Sequence, residues 1–288
     1  MTKRARELFV GAIAEAQARG FVALVSSERL RQVGAHRMAA EVDAESAGRA
    51  RARVARPHLR GEGLEIGALH FPLRVPRRAR VRYVDRMSKA DALRAFPDLD
   101  PDRVVSPEFI DDGFTLADVP DASQDFLIAN HVLEHAPDVL GTLETWSRVL
   151  RPGGHLILSV PVAARCFDRE RPLTPVAHFE EDYRLRQAGR EDEFWQATRA
   201  HYDEWTRTSH VNILREQGRE VPERSEAEIE RETDARLAQR VEIHFHTFSA
   251  QSFGAMLARF CEAIRPGMTV ARVADLTTEV MGIVRRGA

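Results

Sequence analysis

The 288-residue chain is poor in cysteine, in lysine and in long apolar runs. Its two cysteines, Cys166 and Cys261, stand far apart and in no CxxC or metal-type spacing. That excludes a disulfide framework and makes a reducing cytoplasm the default compartment. No stretch of 18 apolar residues occurs, so no helix is expected to span a membrane, and no membrane partner is expected. Glu7 and Glu15 interrupt the amino-terminal apolar stretch, which a secretory segment would not tolerate. Neither sign of charge dominates: 42 basic residues face 44 acidic ones, for a net charge of −2. This balance argues against a general nucleic-acid binder. Among the basic residues only Lys3 and Lys89 are lysines, a bias read as a trace of GC-rich coding. Hydrophobic residues make up 43% of the chain, enough at this length for a core that needs no staples.

Four regions differ in texture. Residues 1–60 read as a helical extension: Leu8, Phe9, Ile13 and Ala16 recur at helix spacing, Gly20 is a stop, and a second helix is expected over 27–47. Its end is crowded with Arg49, Arg51, Arg53, Arg56 and Arg60. A solvated helix face or a linker is the preferred reading of that run, with contact to a phosphate or an acidic partner as the alternative. Residues 61–162 turn to short apolar runs, with strands expected at 64–67, 81–85, 125–130 and 155–160 and a short one before Asp111. A helix over 141–150 and a turn at Arg151-Pro152-Gly153-Gly154 separate the last two. Strands alternating with helices indicate a parallel, doubly wound α/β sheet. Residues 163–243 are charged and helical, a natural insertion or lid. Residues 244–288 close the core with an amphipathic helix over 249–260 and strands over 269–274 and 279–284.

The chemistry concentrates in the second region. Gly67 directly follows the first strand, where a residue without a side chain lets backbone approach a ligand. Asp85 ends the second strand, where a carboxylate can accept both hydroxyl hydrogens of a ribose. Asp111, Asp112 and Gly113 follow the short third strand and offer acceptors to an adenine amino group. Three such loops side by side make a nucleoside site. The dinucleotide fingerprint G-x-G-x-x-G retains one glycine here, Gly67, which argues against a pyrophosphate on that turn and against a nicotinamide-dependent dehydrogenase.

Read together, Leu64-Glu65-Ile66-Gly67-Ala68, Tyr83-Val84-Asp85, the run from Asp125 through Asn130-His131-Val132-Leu133-Glu134-His135, and Leu150-Arg151-Pro152-Gly153-Gly154-His155-Leu156 resemble the class I S-adenosylmethionine-dependent methyltransferases, of the methyltransferase type 11-like group. The resemblance covers about 63–162 and implies a Rossmann-like sheet of about seven strands. It also implies S-adenosylmethionine as cofactor, S-adenosylhomocysteine as product, and particular roles. Glu65, Gly67 and Ala68 would form the turn around the methionine end. Asp85 would hold the ribose, Asp111, Asp112 and Gly113 the adenine, and Asn130 and His131 the cofactor floor. Ala68, Leu69 and His70 replace the usual later glycines, and His70 and Pro72 stiffen the loop.

A base is useful where the acceptor is a hydroxyl, and His131 and His135 are the catalytic candidates, beside a purely structural role for the same run. In the insertion and just after it, His178, His201, Tyr202, Trp205, His244 and His246 are expected to line an acceptor pocket. His244-Phe245-His246 would place two imidazoles on one side of an extended segment. No ligand set has the close spacing of a metal motif, so no metal is expected, and a metal-dependent enzyme using these histidines is kept as an alternative. The expected acceptor is a small molecule such as a sugar or natural-product hydroxyl or amine, with no nucleic acid. A fold that kept the site and lost catalysis is the other rival. Residues 1–60 are long and amphipathic enough to pair two subunits into a homodimer or to cover the site.

Overall fold

A strand buried on both faces needs an apolar run without alternation. Phe126-Leu127-Ile128-Ala129 and Leu156-Ile157-Leu158 are such runs, and all seven side chains are fully buried. They lie in the middle of a seven-stranded sheet in the computed structural model, which describes residues 3–18 and 36–288. The strands are β1 (Gly61–Ile66), β2 (Ala79–Asp85), β3 (Phe109–Ile110), β4 (Gln124–Asn130), β5 (Leu150–Pro161), β6 (Met268–Asp275) and β7 (Glu279–Arg286), in the order β3-β2-β1-β4-β5-β7-β6. β1 to β5 are parallel, and β7 runs antiparallel to both of its neighbours. The doubly wound α/β sheet expected from the sequence is therefore present, and its strand order reverses between β1 and β4.

The helices are α1 (Lys3–Ala18), α2 (His36–Ala55), α3 (Lys89–Ala95), α4 (Val139–Val149), α5 (Val176–Gln187), α6 (Glu191–Glu204), α7 (His210–Glu216), α8 (Glu226–Gln239) and α9 (Ala250–Arg259). Side-chain caps explain several boundaries. Asp138 accepts from the Gly141 N–H at the start of α4, and Ser249 accepts from the Ser252 N–H at the start of α9. α5 to α8 form the helical segment between β5 and β6. Alternate residues of β4 feed two cores. Leu127 and Ala129 pack with α4 and α9, whereas Phe126 and Ile128 pack with Val54, Ala55 and Leu59 at the end of α2.

Three expectations change. The Pro-Gly-Gly turn lies inside β5 rather than ahead of it: Gln124 pairs with Leu150 and Phe126 with His155, so residues 151–154 loop out opposite residue 125. The helix expected over 27–47 runs on to residue 55, as α2 over 36–55; Gly20 and residues 27–35 lie outside the described residues. The arginine run is neither a linker nor a wholly solvated face. It continues α2, and Arg51 is largely buried, with its Nε 2.8 Å from Glu279 Oε1. Among the described residues no helix is long and apolar enough to cross a membrane.

Candidate cofactor and active site

The carboxyl ends of β1, β2, β3 and β4 open onto one face, beside the point where the strand order reverses, and open α/β sheets bind ligands there. At the end of β1, Gly67 adopts φ 65° and donates its N–H to Val84 O. A Cβ at Gly67 would stand 3.1 Å from Val132 Cγ2, a tight contact that adds to the cost of the left-handed backbone. Glu65 is buried, and its Oε1 and Oε2 accept from the Leu73 N–H at 2.9 and 3.1 Å. The carboxylate thus braces the 67–73 loop from beneath. Burial pushes the Glu65 pKa up to about 7, against the bonds from Leu73 and Asn130. Asn130 Nδ2 approaches Glu65 Oε1 at 3.4 Å, and Asn130 Oδ1 accepts from Ser159 Oγ at 3.0 Å. One hydrogen-bond chain therefore crosses β1, β4 and β5 under the cleft.

Asp85 is half-buried at the end of β2, and burial raises its pKa. Its Oδ1 accepts a long bond, 3.3 Å, from the Met87 N–H. It lines a cavity of about 290 Å³ together with Gly67, Phe96, Asp112, Phe114 and His135. Asp111 also borders that cavity, but its oxygens serve its own turn, accepting from Gly113 N, Thr115 Oγ1 and Ala117 N. Asp112 Oδ1 does the same for Phe114 N and Thr115 N. Gly113, at φ 77°, packs where a Cβ would lie 2.6 Å from Ile66 Cγ2. Asp111 and Gly113 thus shape this turn, and Phe96 and Phe114, which the sequence did not single out, add aromatic side chains to the cavity wall.

His131 follows β4 with φ 55°, a conformation costly for a residue with a side chain. Its Nε2 lies 2.7 Å from Glu279 Oε2 and its Nδ1 3.5 Å from Glu134 Oε1. Both carboxylates are buried, and Arg51 adds a second cation to Glu279. Burial opposes charge on His131, but the Glu134 and Glu279 carboxylates outweigh it and raise its pKa to about 9. This environment favours the cationic imidazole at neutral pH and so works against a role as a base. Burial would also raise Glu134 and Glu279, and His131 outweighs it in both, holding them below the usual carboxylate range. Glu134 lies inside the quoted histidine-containing run, yet its role as the buried anion was not read from it.

His135 is largely buried and lines the same cavity as Asp85. Burial pushes its pKa down to about 4, against the pull of Glu134. It is uncharged at neutral pH but a weak base. Its ring stands edge-on to His244, with centroids 4.7 Å apart. His244 Nδ1 lies 2.7 Å from Asp168 Oδ2, and Asp168 is fixed further by Ser209 Oγ and Arg171 Nη1. Asp168 was another residue missed.

The remaining expected acceptor residues do not border that cavity or the larger one beside it. Tyr202 is fully buried and packs with Ile243 and Phe245, with Trp205 against that cluster. His244 and His246 part company, because 241–247 is an irregular segment rather than a sheet strand. His244 faces His135, whereas His246 joins His178 and His201. The larger cavity, about 600 Å³, lies between α2, the 67–74 loop and the end of β4. The two cavities share Ile66, Gly67, Leu69 and His131, so one elongated ligand could run through both.

Residues 30–260 of the chain match a protein family described as a methyltransferase domain. No curated protein matches the chain. Solved structures similar to it include a SAM-dependent methyltransferase from Mesorhizobium loti, with 16% identity, covering 84% of this chain and 98% of that one, at a TM-score of 0.42. Another, from Thermotoga maritima, has 14% identity, covers 84% and 89%, and has a TM-score of 0.43. A third, from Aquifex aeolicus, has 13% identity, covers 79% and 83%, and has a TM-score of 0.38.

Proposed function

The chain belongs to the methyltransferase-domain family, whose cofactor is S-adenosylmethionine, and on that premise we propose that it methylates a hydroxyl or amine of a small molecule. The observation that carries this reading is the pair of joined cavities at the open end of β1 to β4, with the Asp85 carboxylate in the smaller one and the Gly67 turn between them. That shape fits the cofactor: a nucleoside-sized space holds the Asp85 carboxylate, and a Cβ on the dividing turn would meet Val132 Cγ2 at 3.1 Å.

In this reading Asp85 accepts the ribose hydroxyls, Phe96 and Phe114 flank the adenine, and Gly67, Ala68 and Asn130 border the methionine end. The bound cofactor supplies an already activated sulfonium methyl. What the protein adds is placement, and orientation alone can lower a barrier by about 7–11 kcal/mol. His131 acts here as a positioning residue: its charge is spent on Glu134 and Glu279, which fixes the floor of the cleft. His135 stands at the cavity wall, and burial leaves it uncharged and without the basicity of a strong proton acceptor. Catalysis by placement is therefore favoured over general-base catalysis. The larger cavity has the volume of an ordinary small-molecule site, which supports a small acceptor between α2 and the 67–74 loop.

The test is transfer of labelled methyl from S-adenosylmethionine to a panel of sugars, phenols and amines, with protein and RNA as comparison acceptors. Label in a small acceptor, lost in Gly67→Val, supports the proposal. Cofactor binding with no transfer to any acceptor would favour a binding protein of the same fold, and transfer only to the macromolecules would overturn the acceptor class.

A further inference from the structure

A second cluster of chemistry-bearing residues lies away from both cavities, inside the helical segment. His178 and Asp182 are one turn apart on α5, His201 comes from the end of α6, and His246 from the irregular segment before α9. One ligand-type atom from each of the four lies within 4.8 Å of every other. His178 Nε2 is 2.7 Å from His201 Nε2 and 3.1 Å from Asp182 Oδ2. The rings of His201 and His246 stand 4.9 Å apart, centroid to centroid.

The hydrogen bonding of this cluster is incomplete as a purely protein network. His246 Nε2 lies 3.2 Å from Pro137 O, a carbonyl that fixes the proton on that nitrogen and leaves Nδ1 with its lone pair. That Nδ1 is buried and has no hydrogen-bond partner, and neither has His201 Nδ1. Buried polar atoms normally find a partner, and a metal is one kind of partner. A backbone carbonyl holding the far nitrogen of an imidazole is also the usual second layer around a metal-bound histidine.

We propose that His178, Asp182, His201 and His246 form a four-coordinate site for a divalent transition metal of the zinc type. Three imidazoles and one carboxylate suit such an ion in chemistry and in number. A tetrahedral ion with ligands at 2.0–2.1 Å would set them about 3.3 Å apart, so modest side-chain rotation closes the cluster. Because the protein supplies all four ligands, the site is structural rather than catalytic. It joins two helices of the lid and the 241–247 segment to the loop after β4, through Pro137. That same loop carries His135, and its Glu134 carbonyl accepts the Phe245 N–H. The metal therefore staples the helical segment to the loop that carries His135.

Chelator-dialysed protein titrated with Zn(II) should take up one equivalent and melt at a higher temperature. Co(II) should give the visible d–d absorption of a tetrahedral nitrogen–oxygen site. His246→Gln and Asp182→Asn should each weaken uptake by more than about 100-fold, beyond the effect of losing an outer-shell partner. Circular dichroism of the dialysed variants checks folding, and Asp182→Asn, nearly isosteric, decides if His246→Gln does not fold. No saturable Zn(II) uptake by the wild type would overturn the site. So would uptake that both variants leave unchanged, or that His135→Gln abolishes instead, since that would place the ion at the neighbouring Glu134–His135–His244 group. None of these readouts depends on methyl transfer, so the site stands or falls separately from the enzymatic reading.

Discussion

His131 Nε2 lies 2.7 Å from Glu279 Oε2, tying the residue that follows β4 to the first residue of β7 across the open end of the sheet. The charged groups facing this imidazole are Glu134 from its own loop and Glu279 from β7, and Arg51 from α2 engages Glu279 in turn. A histidine whose folded pKa is raised contributes stability that is full below its unfolded pKa and lost as pH rises through its folded one. Here that window runs from about 6.5 to about 9. Urea unfolding at several pH values should show the wild type losing its advantage over His131→Gln across that window. At pH 6 the variant should be the less stable of the two, by a margin that solvent at the exposed edge of the His131 ring reduces. An advantage independent of pH would show that His131 is uncharged in the folded protein.

Glu65 carries the opposite kind of burden. Its folded pKa, about 7, lies above its ordinary value because burial disfavours the ionised form. Stability from this group therefore falls as pH rises between about 4.5 and 7, by up to about 3 kcal/mol. Glu65→Gln keeps an acceptor for the Leu73 N–H and removes the titration. The difference in unfolding free energy between variant and wild type should grow in the variant's favour from pH 4.5 to 7.5. A constant difference would place the carboxyl in water.

Gly67 has a left-handed backbone, and a Cβ there would stand 3.1 Å from Val132 Cγ2. Gly67→Ala should cost about 1–2 kcal/mol of stability, from the conformation alone. If the turn borders the cofactor, S-adenosylmethionine affinity should drop by at least about tenfold as well. Denaturant titration and calorimetry separate the two effects, and a stability loss with unchanged affinity would remove this turn from the cofactor site.

Arg51 and Glu279 should be coupled energetically. A double-mutant cycle with Arg51→Met and Glu279→Gln, read by denaturant unfolding, should give an interaction of about 1–3 kcal/mol, as expected for partners in one buried network. A value near zero would mean that α2 is held by its apolar contacts alone.

How far the sequence is legible depends on the range of the interaction involved. The apolar runs of β4 and β5, the Asp138 and Ser249 caps and the Gly67 turn are local signals, and each is visible within a few residues. The Arg51–Glu279 pair joins positions 228 apart, and the His244–Asp168 pair joins positions 76 apart. No local pattern announces such partners, so Arg51 looks like one more arginine in a basic run. The split between His244 and His246 was hidden for another reason: alternation assumes a strand, and 241–247 joins no strand of the sheet. Asp111 and Asp112 follow β3 as the sequence suggests and border the smaller cavity. Only the hydrogen bonds show that their carboxylates are largely taken up by the turn they sit in.

Calorimetric titration with S-adenosylmethionine, on the wild type and on Asp85→Ala, tests the central claim most directly. Micromolar affinity corresponds to about −8 kcal/mol. Removing the carboxylate should cost about 1.5–3 kcal/mol for each ribose hydroxyl left without it. The account predicts saturable one-to-one binding by the wild type and at least about tenfold weaker binding by the variant. No binding by the wild type, or equal binding by both proteins, would contradict it.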